Sequence, residues 1–177
     1  MRLIQNPWTG LDGYNCFGCC PTNPIGLQMR FYEDGDDIVS IWHPNLRYQS
    51  WINTIHGGVQ AVLLDEVCGW VAFHRLQLSG VTAKMDLRYR RPMLGTMPFI
   101  EARAHLVERR RNLAVIRGQL SDNEGNILVE ADCTYFLYSE SQMPQEVVAG
   151  HSVAIGEELT REEVIERELN GTHETKQ

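Results

Sequence analysis

The residues best equipped for chemistry lie in one short run, Asn53-Thr54-Ile55-His56-Gly57-Gly58 leading into Val59-Gln60-Ala61-Val62-Leu63-Leu64-Asp65-Glu66. A Gly-Gly step lets backbone approach a ligand closely, because no Cβ stands in the way. A helix start beside it offers unpaired N–H groups to a developing negative charge. Asp65 and Glu66 follow in a largely apolar run, where a carboxylate is costly unless it has a partner or a task. Together these residues read as an anion hole beside a base or nucleophile.

On a helix, Ala61, Val62, Cys68 and Gly69 occupy the i±3 and i±4 positions around Asp65, and none of them can pair with it. The carboxylate therefore faces a cleft or is satisfied from another segment. Glu66 neighbours Leu63 and Trp70 and is expected to be structural, paired with an Arg. His56 is expected to fix the loop by hydrogen bonding to backbone. Two reactions remain open for Asp65: deprotonating water, or attacking the substrate itself.

The elements that must position these groups follow from periodicity. Residues 1–26 are rich in Gly, Pro, Asn and Cys and read as loop. Leu27 to Phe31 and Asp37 to Trp42 read as strands around a turn at Glu33-Asp34-Gly35-Asp36. Apolar residues cover most of the circumference of a helix from Gly57 to Leu76, so it is expected to be buried on most sides, with His74 and Arg75 in its last turn. Val81, Ala83, Met85, Leu87 and Tyr89 alternate with polar residues, predicting a strand with one dry face. Phe99 to Glu108, Leu113 to Leu120 and Ile127 to Tyr138 complete a meander, with a hairpin turn at 121–126. One long helix is expected to cover one face of an antiparallel sheet of five to six strands, an α+β class. The domain spans 1–138. Residues 139–177 form an acidic tail with a short helix opening on the capping box of Thr160 and Glu163, loosely attached or lying on a partner subunit.

Composition narrows the function classes. The 177 residues are 43% hydrophobic and 22% charged, as in ordinary globular domains. The formal charge of −7 is concentrated in the tail: residues 1–138 hold 13 Lys and Arg against 14 Asp and Glu. No broad basic excess suits nucleic acid. No apolar run is long enough to span a membrane, and the N-terminus lacks the apolar core of a signal peptide, so cytoplasmic residence is expected. Five cysteines, an odd count, argue against a disulfide framework. Cys16-x-x-Cys19-Cys20 has no second cysteine or histidine pair to complete four zinc ligands, so no metal is expected and the loop is read as lining a pocket.

With His-Gly-Gly at a helix entrance, an acid nine residues beyond the His, and the strand from Gly80-Val81-Thr82 to Tyr89 ending in Pro92 and Gly95, the chain resembles the hotdog-fold acyl-CoA thioesterases. The closest branch is the PaaI-like, phenylacetyl-CoA-type group, and the resemblance covers about Cys16 to Tyr138. Cys16-Phe17-Gly18-Cys19 followed by Asn23-Pro24-Ile25-Gly26-Leu27 is also similar to N-terminal segments of some members. The resemblance implies a hotdog fold, an oxyanion hole at the Gly57 N–H, Asp65 as general base or nucleophile, an assisting hydroxyl at Thr82, and His56 orienting the site. Some relatives carry Asn six residues before the His, where this chain has Ser50; Asn53 and Gly58 join it as expected substrate contacts. Arg90, Arg110 and Arg111 are expected near the phosphates of coenzyme A. Members assemble as dimers or dimers of dimers, and no separate cofactor is implied.

The nine residues from His56 to Asp65 make about 2.5 helical turns, so Asp65 points largely away from the Gly57 entrance of its own helix and the site is expected to be shared between two subunits. Hydrolysis of an acyl-CoA is the first expectation. A hotdog protein that binds acyl-CoA without hydrolysing it is the alternative; a hydratase would need a different His-plus-acid signature. Trp42, Trp51, Trp70, Phe73 and Met85 fit pocket walls or core equally well.

Overall fold

A computed structural model describes residues 1–139, 142 and 152–171. The strands are β1 (Arg2–Ile4), β2 (Tyr32–Asp34), β3 (Asp37–Trp42), β4 (Gly80–Tyr89), β5 (Ile100–Arg110), β6 (Leu113–Ser121), β7 (Ile127–Leu137) and β8 (Ala154–Ile155). They form one antiparallel sheet in the order β4-β7-β6-β5-β3-β2-β1-β8. The helix α1 (Gly57–Trp70) lies across its concave face and runs on into a π-helical turn, Val71–Arg75. The expected hotdog arrangement is present, with eight strands among the described residues rather than five or six.

Leu63, Leu64, Val67 and Cys68 of α1 are fully buried against Ile116, Ala104, Cys133 and Tyr135 of the sheet. Close seating is possible because β6 carries Gly118 beneath the helix: a Cβ there would stand 2.8 Å from Cys68 Sγ and 3.1 Å from a Leu64 methyl. His74, expected merely to complement the helix end, is buried and bonded to Ser152 Oγ at 2.8 Å and Glu33 Oε2 at 3.1 Å. No described helix is long and apolar enough to cross a membrane.

Three expectations need correction. Leu27–Phe31 is not a ladder strand; Leu27 and Met29 N–H groups bond instead to the Phe17 and Gly18 carbonyls of the preceding loop, and the strand begins at Tyr32. The alternating face of β4 is only partly dry: Tyr89 is about half exposed on the outer strand of the sheet, and Val81, also about half exposed, lies before a bulge between Thr82 and Lys84 that turns it to the opposite face. The described part of the tail is docked rather than loose. β8 pairs with β1, and α2 (Arg161–Gly171) seats Val164, fully buried, on Tyr32, Val39, Ile41 and Phe99. Arg161 pairs with Glu101, and Glu168 accepts from the Tyr32 hydroxyl. β3 is thus buried on both faces, by α1 on one side and α2 on the other. The capping box of Thr160 and Glu163 is formed as expected.

Candidate functional site

Asp65 lies two turns into α1, half-buried, and its partners come from the sheet. Thr82 Oγ1 donates to Asp65 Oδ1 at 2.6 Å, and the Tyr135 hydroxyl reaches the same oxygen at 2.9 Å and the Asp65 carbonyl at 2.6 Å. The two hydroxyls meet because Thr82 and Tyr135 are directly paired across β4 and β7. Paired residues of an antiparallel ladder share a face. Burial first, then the nearby Asp65 carboxylate, pushes the Tyr135 phenol well above its ordinary value, so it remains a donor.

Strict alternation would have put Thr82 on the face opposite Met85 and Leu87. A bulge between Thr82 and Lys84 inserts one residue and reverses the parity, so Thr82 joins them on the helix side. This is what a β-bulge does: it re-aims a side chain at a sheet edge. Nothing in the sequence singles out Tyr135, which is one inward residue among several in β7.

Asp65, Thr82 and Tyr135 stand on the wall of a cavity of about 710 Å³ that also exposes Trp70 and Phe73 to its interior. The volume falls in the range of small-molecule sites. Trp42 belongs to the core, Trp51 is 81% exposed, and Met85 packs on the core, so of the five expected wall residues Trp70 and Phe73 line it. Cys16, Cys19 and Glu66 line the same cavity. Glu66 contacts no Arg: Cys16 Sγ donates to its Oε1 at 3.2 Å, and the loop closes over it at Gly18. Burial pushes the Glu66 carboxyl up to about 8, while contact with the Cys19 side chain leads the Cys16 thiol down to about 5.

The helix entrance is a separate locus. His56 caps α1, its Nδ1 accepting from the Gly58 N–H at 2.9 Å, which is the loop-fixing role expected of it. Tyr89 donates to the Gly57 carbonyl at 2.9 Å. Ser50 and Asn53 organise the approach: Asn53 stands at φ +59° and donates to Thr96 Oγ1 at 3.1 Å, and Ser50 Oγ leans on the Thr54 carbonyl. None of these residues lines the cavity that holds Asp65.

The three arginines do not converge within one chain. Arg90 pairs with Glu130 at 2.7 Å, Arg110 with Glu108 at 3.1 Å, and Arg111 occupies the β5–β6 turn at φ +55°. Arg110 stands in one row with Leu113, Phe136 and Val81, on β5, with β6 and β7 between it and β4.

Residues 52–129 match the model of a family described as the thioesterase superfamily, and no curated protein sequence matches the chain. Among solved structures, a thioesterase-superfamily protein aligns over 74% of this chain with a TM-score of 0.61 and 23% identity; the alignment covers only 59% of that protein's length. A hypothetical thioesterase from Streptococcus pneumoniae TIGR4, solved with coenzyme A, aligns at TM-score 0.57 and 20% identity over 62% of this chain and 87% of its own. Zebra fish thioesterase superfamily member 2 aligns at 0.59 and 18% over 67% and 90%. Identities this low speak to the fold. Residues 52–129 match the thioesterase-superfamily model, and the architecture around them is the hotdog fold.

Proposed function

We propose that the chain hydrolyses acyl-CoA thioesters to a free acid and coenzyme A, with Asp65 as general base or nucleophile. The observation that carries this is the Asp65 carboxylate, held through Oδ1 by the Thr82 and Tyr135 hydroxyls on the wall of an apolar cavity. Among the described residues nothing binds Oδ2, which leaves that oxygen for a water or for attack on the thioester carbonyl. The coenzyme A bound to the Streptococcus pneumoniae relative agrees in substrate class.

The tetrahedral oxyanion needs donors at about 2.7–3.1 Å. Gly57 N–H, first in α1, is the donor assigned here, with His56 and Gly58 holding the turn. Eight residues separate Gly57 from Asp65, about 12 Å along the axis, too far for one carbonyl to touch both. A second copy must therefore supply one of the two groups. The unpaired edge of an outer strand is a ladder on which another chain can add. β4 is such a strand, exposed along most of its length. Trp51 and Ile52, 81% and 95% exposed, stand beside the helix entrance. Arg90, Arg110 and Arg111 are then assigned to coenzyme A phosphates across that interface.

Thiol release from a panel of short, medium, long and aromatic acyl-CoAs tests the reading, comparing wild type with Asp65→Asn. Release by wild type and its loss in Asp65→Asn are expected. Binding of acyl-CoA with no release by either protein would instead establish the non-catalytic alternative.

A further inference from the structure

The cavity has a second chemical centre that hydrolysis at Asp65 does not use. Cys16 and Cys19 from the N-terminal loop and Glu66 from α1 each present one donor atom, and the three atoms lie within 4.8 Å of one another. The loop is built to hold them so. Cys20 N–H closes the turn on the Cys16 carbonyl at 3.2 Å, and buried Asn23 donates to the Asn15 and Cys16 carbonyls. Any Cβ on Gly18 would run into the Glu66 side chain, so a glycine alone lets the loop close over the carboxylate. Glu66 forms no ion pair with a described Lys, Arg or His, although it is half-buried. A carboxyl so placed, held by a thiol rather than by a basic side chain, takes full charge at least cost when a cation sits beside it.

We propose that Cys16, Cys19 and Glu66 bind one soft divalent cation, best matched by zinc, with a fourth position open to the cavity. Two sulfur donors select against magnesium and calcium and suit zinc. Tetrahedral zinc places sulfur at about 2.3 Å and carboxylate oxygen at about 2.0–2.2 Å, which sets donors roughly 3.5–3.8 Å apart, within the spacing of this cluster. Three protein ligands with an open fourth position is the pattern of a zinc that also takes water or a ligand. Here that position would face whatever enters the cavity beside Asp65. The Cys-x-x-Cys spacing alone left the set incomplete, since its third member comes from a helix 47 residues beyond Cys19.

The test uses the full chain, reduced, stripped with a chelator and titrated with Zn²⁺ or Co²⁺. One ion per chain is expected, and the Co²⁺ form should show thiolate charge-transfer absorption with the intense visible bands of a tetrahedral site. Cys16→Ser and Cys19→Ser should each weaken binding by at least the roughly 10–100-fold that even an outer-shell partner is worth. Glu66→Gln should weaken it while keeping the charge-transfer band. Should these variants fold poorly, alkylation of wild type gives the same answer, with Zn²⁺ protecting Cys16 and Cys19. The proposal is overturned if the reduced protein takes up no ion or if Cys16→Ser binds as wild type does. None of these readouts depends on thiol release, so this site and the hydrolase reading stand or fall separately.

Discussion

Tyr135 and Thr82 face each other across β7 and β4, and both hydroxyls converge on the same oxygen of Asp65. The carboxylate is thereby held against a sheet rather than left to swing on its helix, and its second oxygen is aimed by default. A hydrogen bond to a charged group contributes about 1.5–3 kcal/mol, and each ~1.36 kcal/mol at the barrier is a factor of ten.

Removing either donor should therefore slow thiol release by about 10–100-fold. Tyr135→Phe and Thr82→Val are the variants, with Thr82→Ser retaining most of the rate. The cavity admits water to the vacated place, so melting temperatures should fall by only a few degrees. A rate unchanged in both variants, measured at saturating acyl-CoA, would mean that Asp65 is not the reacting group.

The proposed oxyanion donor, the Gly57 N–H, can be removed with little cost to the fold. Gly57 is the first residue of α1, a position where proline is well tolerated. His56 before it stands at φ −58° and ψ 134°. That extended conformation is the one a residue preceding proline prefers. Gly57→Pro deletes the N–H and leaves the cap from His56 to Gly58 in place. Circular dichroism and melting should stay near wild type while kcat falls roughly 10²–10³-fold. A fully active Gly57→Pro would remove Gly57 from the site.

The helix and the four long strands could be read in the sequence because each carries its own period. Asp65 stood out because an apolar helix offers it no local partner. What the sequence concealed depends on long-range register. Thr82 reaches Asp65 only through the bulge after it, which breaks the period-two pattern, and Tyr135 does so only through its pairing with Thr82. Glu66 was expected to pair with Arg, but its contact is a loop 50 residues upstream. The tail read as loose because α2 has few apolar residues, yet Val164 finds a fully buried seat against the outer face of β3.

That seat predicts a local effect. Val164→Asp would place an unpaired carboxylate where no water reaches, at a cost of several kcal/mol, so α2 should detach rather than pull the domain apart. Hydrogen exchange should then quicken at 161–171 and in β3, with the amides of α1 and β6 still protected. Thiol release should persist, since α2 touches none of the residues around Asp65.

The β6–β7 turn supplies a pH-dependent contribution. Burial pushes the Asp122 carboxyl up, but donors from the Asn126 side chain and backbone and from the Glu124 N–H outweigh it and hold it below its ordinary value. A depressed carboxyl stabilises the fold above its unfolded value of 3.8, and the contribution is lost as pH falls through the lower folded value. Asp122→Ala should melt several degrees below wild type at neutral pH. The gap should close as the pH drops beneath 3.8, and a constant gap would show that the carboxylate charge plays no part.

The proposed sharing of the site between two copies has a sharper consequence. In a two-fold dimer each site would draw Asp65 from one chain and Gly57 from the other. Homodimers of Asp65→Asn, or of Gly57→Pro, then contain two damaged sites. A heterodimer of the two variants contains one site with both lesions and one with neither. Unfolding the two proteins together and refolding them at equal amounts should restore about a quarter of wild-type activity, since half of the dimers are mixed and each mixed dimer has one intact site. If Asp65 and Gly57 of the same chain formed the site, every site in every mixture would carry a lesion and no activity would return.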